Sequence, residues 1–332
     1  MPAGHPDSTD VSNSFEDLSR SSNMNDDFEN PYDAFIQTAN GDDAQIQSRY
    51  ETHRLTRNAQ QRAKLLDANF SGVTIDPILK KLEDPSIEPG YRDPRHCLVF
   101  WARPPAKVRA LVSEVQRRLH LMAPSLWTMH ENSLHLTALE ITHSQTAEEI
   151  SKIVDTIRPH IQEISNYTLR HRARVLKPLL SYDGAALALS FLPAHGEGLH
   201  DGRTVHDDAF TYHHLRRDLY NLCKQAGVTV ESRYTVPSSH LTVGRYITDK
   251  DFTTVDITTG EAIPDPAKMR QWIAGIENIN DWLRTEFWPA DGDGPVKAGG
   301  EWIIGEEKGL DCRFGALWYG DGGRTLTIGD GF

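Results

Sequence analysis

One order of elements occurs twice in this chain of 332 residues, and nothing else in the sequence narrows the fold as far. CLVFWARPP, residues 97–105, is an apolar run closed by prolines and reads as a buried strand. Residues 106–122 then place Val108, Leu111, Val112, Val115, Leu119 and Met122 at helical spacing. LWTMHENSLHLTALEI follows as a second strand region. Thr146 and Glu149 make a capping-box pattern, opening a helix that ends near Pro159. From residue 186 the series starts again: ALALSFLPA is the apolar run, residues 212–226 are the helix with Gly227 as its stop, and VTVESRYTVPSSHLTVGRYI is the second strand region. Asp265-Pro266 then caps a long helix. Such a chain is expected to be α+β, with two pseudo-symmetric lobes of antiparallel sheet, helices outside and one groove between them.

The groove matters because one triplet lies in both of the later strands. His135-Leu136-Thr137 sits in SLHLTALEI and His240-Leu241-Thr242 in SSHLTVGRYI. On a strand, residues i and i+2 share a face, so each His stands beside its own Thr. A pseudo-twofold between the lobes would turn the two pairs toward each other. Two imidazoles, with reference pKa values near neutrality, can divide the work of general base and general acid, while the hydroxyls hold phosphate oxygens. Arg245 lies three residues beyond Thr242, on the opposite face of a regular strand, so only a bulge or twist brings it to the face of Thr242. The plain alternative for each is a strand His satisfied by a carbonyl and a Thr chosen as a strand former.

Charge and cysteine usage bound the partners. Residues 1–47 hold ten acids and one base, which accounts for −9 of the net −12 and leaves −3 for the rest. A nearly neutral body has no field for long duplex nucleic acid, though a local cationic pocket for one phosphate is compatible with it. Residues 1–43 are polar and acidic and are expected to form a disordered tail before a single domain at 44–332. Residues 44–66 read as a surface helix with a thin apolar stripe. Cys97, Cys223 and Cys312 are far apart, and no His, Cys, Asp or Glu cluster has metal-ligand spacing. The expectation is therefore no metal and no other cofactor, in a reducing cytosol or nucleus. No apolar run reaches membrane length, and a monomer is expected. Arg170, Arg172 and Arg174 would share one face of a strand as a charged edge. His213-His214 reads as a surface pair, and Phe100, Trp101 and Tyr182 as core rather than as base-stacking platforms. The stretch from residue 300 onward reads as two or three strands with glycine turns.

The paired motifs resemble those of the two-histidine phosphoesterase superfamily, which includes 2′-5′ RNA ligases and cyclic nucleotide phosphodiesterases. HLTVGR is similar to the His-x-Thr-apolar-Gly-Arg form of the RNA-ligase branch. From about residue 30 onward the chain looks like the fungal RNA ligase/cyclic nucleotide phosphodiesterase proteins. The resemblance implies acid–base catalysis by His135 and His240 without a metal, phosphate binding by Thr137 and Thr242, and a phosphate-binding cation at Arg245. It implies hydrolysis of a 2′,3′-cyclic phosphate on a nucleotide or an RNA end. Three alternatives stay open: a 2′-5′ RNA ligase, a nuclease that processes RNA 3′ ends, and a non-catalytic nucleotide-binding module. Strand order gives a pseudo-symmetric site no polarity, so the base is not assigned. The rate should follow a bell in pH with both limbs between about 5 and 8.

Overall fold

A computed structural model of the chain describes residues 18–19, 28–232, 235–290, 295–319 and 322–332. Most of the expected tail, residues 1–17 and 20–27, lies outside these. Its last part is folded. Asn30 caps α1 (Pro31–Thr38), its side chain accepting from the Tyr32 amide, and Pro31 opens the helix. Tyr32, Phe35 and Ile36 are buried. The expectation of disorder as far as residue 43 is thus corrected: three apolar residues at helical spacing suffice to dock a short helix, whatever the average polarity around them. α2 (Asp43–Leu65), capped by Asp42, is likewise no thin surface helix. Its inner face buries Gln47, His53 and Arg54 alongside Ile46 and Tyr50.

The remaining elements follow the expected order. Asp76 caps α3 (Pro77–Glu83), and β1 (His96–Ala102) leads into α4 (Ala106–Met122). β2 (Trp127–Thr128) is a short strand before β3 (Leu136–Gln145). Thr146 and Glu149 complete both bonds of the capping box on α5 (Ala147–Ile157), and α6 (Ile161–Ser165) follows. β4 (Arg174–Tyr182) and β5 (Ala186–Pro193) precede α7 (Tyr212–Gln225) and β6 (Ser239–Arg245). β7 (Thr253–Val255) and β8 (Ala262–Pro264) form a separate hairpin. Asp265 caps α8 (Pro266–Phe287), and β9 (Glu301–Ile303), β10 (Lys308–Ala316) and β11 (Gly322–Asp330) complete the chain.

The fold is α+β with a curled antiparallel sheet. The strand order is β11-β10-β1-β3-β6-β5-β4-β9, and β2 joins the sheet beside β6. β1 shows why its sequence is continuously apolar. Leu98, Phe100 and Ala102 belong to the main core, whereas Cys97, Val99 and Trp101 pack with Leu317 and Trp318 in a second cluster. Both faces of the strand are covered, so neither tolerates polar residues. Among the described residues, no helix is long and apolar enough to cross a membrane.

Two side-chain expectations fail here. Arg170, Arg172 and Arg174 share no strand face, because β4 starts only at Arg174, after a helical turn at Tyr167–Leu169. Arg174 is buried and paired with Asp208 and Glu301, both at 2.5 Å, and donates to the Glu197 carbonyl at 2.7 Å. It pins the Gly-rich loop of residues 195–209 to β9; a guanidinium this deep is tolerable only with carboxylates on both sides. His213 is not on the surface either. It is fully buried, stacks on Phe35 with ring centroids 4.2 Å apart, and pairs through Nδ1 with the Tyr50 hydroxyl at 2.8 Å.

Candidate active site

β3 and β6 pair at a single rung, Leu136 opposite Leu241. Counting one residue outward along antiparallel strands puts His135 opposite Thr242 and Thr137 opposite His240. Both leucines are buried in the main core, so the four flanking side chains turn to the other face of the sheet. All four line one cleft together with Arg245. Its free space of about 60 Å³ is enough for several waters, at about 10–15 Å³ of such space each, and so for one phosphoryl group.

A bulge in each strand completes the lining. Ala188 pairs with Thr242 and Leu187 with Gly244, so Val243 is an extra residue in β6. Trp101 pairs with Thr137 and Phe100 with Leu139, so Ala138 is the extra residue in β3. The first bulge returns Arg245 to the face of Thr242, as the three-residue offset required. The second brings Glu140, which the sequence reading missed, to the cleft in the corresponding position. Its signal was present: Ala138-Leu139 and Val243-Gly244 each break the alternation at the same distance from the triplet. Bulges leave carbonyls unpaired in the ladder, and these must find donors. The Val243 oxygen accepts from the Met129 amide and the Gln116 carboxamide, both at 3.1 Å, and the Thr137 oxygen accepts from the Tyr212 hydroxyl at 2.7 Å. Gly244 suits this packing: a Cβ there would lie 3.0 Å from the Trp127 oxygen and 3.1 Å from Leu126, so those neighbours would have to give way by a few tenths of an ångström.

No protein-family model matches the chain, and no curated protein matches it significantly. The chemistry of the cleft must carry the functional reading.

The two histidines are held differently. His135 Nδ1 lies 2.7 Å from the Ser133 carbonyl. A carbonyl only accepts, so Nδ1 carries the proton and Nε2 of the neutral ring keeps its lone pair. The ring lies flat against Trp101, centroids 3.7 Å apart and planes 11° from parallel. Trp101 is therefore part of the site as well as of a packed cluster, while Phe100 faces the main core. His240 Nδ1 pairs with the Ser238 hydroxyl at 2.9 Å, a group that can accept or donate. Burial pushes His135 down to about 3, with the cations Arg103 and Arg313 acting in the same direction. Burial likewise pushes His240 down to about 4, aided by Arg57, Arg216 and Arg245. The expected bell between pH 5 and 8 took both rings at their reference values. Desolvation and the surrounding cations remove that premise for the empty site. Among the described residues, no group of three His, Cys, Asp or Glu side chains is arranged to hold a metal ion.

Proposed function

We propose that the chain is a two-histidine phosphodiesterase, acting without a metal on 2′,3′-cyclic phosphates of nucleotides or RNA ends. In this reading β10, β1 and β3 form one lobe, β4, β5 and β6 the other, and a pseudo-twofold runs through the Leu136–Leu241 rung. That rung is the observation that carries the proposal. It makes the two triplets antiparallel neighbours, with each imidazole across from the other triplet's hydroxyl at one phosphate-sized cleft. The matched bulges after each Thr support the pseudo-twofold.

The hydrogen bonds favour a division of labour. His135, with Nδ1 committed to a carbonyl and Nε2 unprotonated, takes the proton of the attacking water. His240, whose Nδ1 faces a hydroxyl that can accept a proton, gives a proton from Nε2 to the leaving ribose oxygen. The anionic phosphate supplies the charge that holds that proton on His240 before the bond breaks. Thr137, Thr242 and Arg245 stabilise the non-bridging oxygens as charge builds on them. Stacking against the Trp101 face stabilises His135 as it becomes cationic.

The test is incubation with 2′,3′-cyclic nucleotides, and with short RNAs ending in a cyclic phosphate, in the presence of EDTA. A phosphomonoester product is expected. A ligated product would move the assignment to RNA ligase, and binding without product to a non-catalytic module. Activity lost in EDTA and restored by zinc or magnesium would overturn the metal-free mechanism.

A further inference from the structure

A second cavity adjoins the phosphate cleft on the side of His240. It has about 140 Å³ of free space and lies under α2, with Tyr50, His53, Arg54 and Arg57 on one wall and β5 on another. His240, Thr242 and Arg245 line both cavities. Arg54, Arg57 and Arg245, the last paired with Asp76 at 3.7 Å, bring three guanidinium groups to it, and its lining holds one carboxylate, Asp183. That carboxylate is already engaged: it pairs with Arg57 at 2.8 Å and accepts from the Ala185 and Ala186 amides, each at 2.8 Å.

Arg54 points most directly to a ligand. It is 5% exposed, donates once to the Lys177 carbonyl at 2.8 Å, and lies over the Trp288 ring. Its Nε and Nη2 have no hydrogen-bond partner, and among the described residues it forms no ion pair. Arg245 Nε, on the shared wall, is also unsatisfied. A buried guanidinium left with unpaired N–H groups is costly unless something anionic completes it.

We propose that this cavity is a second anion subsite, which takes the 5′-phosphate of the nucleotide whose cyclic phosphate occupies the cleft. The proposal rests on the cleft being the cyclic-phosphate site. It makes 5′-phosphorylated cyclic nucleotides, and by the same chemistry the last unit of an oligonucleotide, better substrates than 5′-hydroxyl mononucleotides. Arg54 and Arg57 supply the planar, two-pronged donors that suit a phosphate.

Two measurements on the full chain decide it. The first is kcat/KM for adenosine 2′,3′-cyclic phosphate with and without a 5′-phosphate. The second is calorimetric binding of adenosine 5′-monophosphate against adenosine, which needs no turnover. The 5′-phosphate should raise both kcat/KM and affinity by about tenfold or more, and Arg57→Gln and Arg54→Lys should bring both ratios close to one. If Arg54→Lys does not fold, Arg57→Gln, at a partly exposed position, carries the test. Equal turnover of the two cyclic nucleotides, with equal binding of the monophosphate and the nucleoside, would overturn the subsite and leave the phosphodiesterase standing. If neither is turned over, the phosphodiesterase falls, and the binding ratio alone upholds or overturns the subsite.

Discussion

The two halves of the sheet carry the same triplet on the same kind of bulged strand, yet they surround it differently. In the first half the residue paired with the motif threonine is Trp101, which stacks on His135; in the second it is Ala188, which leaves room beside His240. The residue brought round by the bulge is an acid in one half, Glu140, and a base in the other, Arg245. α2 lines the cavity beside the second motif. Backbone geometry sets where the four motif side chains stand. The residues outside the motif divide the roles, leaving a locked, stacked ring on one side and a cationic, open one on the other.

The histidines give the hardest test of that division. His135→Ala and His240→Ala should each lower kcat by about 10²-fold or more, and the double variant should lose far less than the product. Thr137→Val and Thr242→Val should each cost less than either. A His240→Ala enzyme with wild-type turnover would remove the two-histidine mechanism.

The next contrast is Arg245 against Glu140. Arg245→Gln removes a donor to developing charge and should cost about 10²-fold in kcat/KM. Glu140→Gln removes a negative charge from the same cleft and should tighten inhibition by inorganic phosphate. Changes of the same sign in both variants would break the assignment of opposite roles.

Acidity probes both rings together. With His240 held well below its reference value in the empty site, only a small fraction of molecules carries the required proton at pH 7. kcat/KM should therefore fall about tenfold per unit as pH rises from 5 to 8. kcat should keep a bell displaced upward by the bound anion. A kcat/KM bell centred near the histidine reference value would refute this. Stability runs the opposite way. His135, His213, His214 and His240 are all held below their unfolded values by burial. The unfolded chain then binds more protons, so their contribution is complete above about pH 6.5 and is lost as pH falls toward 4. Thermal melts across that window should show a falling Tm.

Truncation gives the smallest effect on chemistry. Deleting residues 1–43 removes α1 from α7 and exposes the partners of Tyr32, Phe35 and Ile36. Each such side chain contributes about 1.5–3 kcal/mol when buried. A clear drop in Tm is expected, and a much smaller one on deleting residues 1–29. Equal melts for the two truncations would show that α1 adds nothing to the second half.

That His135 and His240 stand on neighbouring strands at one cleft was legible because alternation and a repeated element order both show in one sequence. The caps at Asp76, Thr146 and Asp265 were legible because capping is local. Arg245 was placed conditionally, and the bulge at Val243 meets the condition. α2 was misread for a physical reason. Its buried face carries Gln47, His53 and Arg54 because it roofs a polar cavity, and a polar buried face has no hydrophobic periodicity. Arg174 and His213 were misread because only tertiary partners, Asp208 with Glu301 and Phe35 with Tyr50, make their burial tolerable.

The single rung at Leu136 and Leu241 also bears on how the protein is made. It joins segments separated by about a third of the chain, and closing so long a loop is slow unless both ends are already ordered. During synthesis β3 emerges long before β6 and waits with an unpaired edge, a state in which strands are prone to join the wrong partner. The cleft between the two triplets is then complete only after β6 has emerged, and an early stall leaves β3 with an exposed edge.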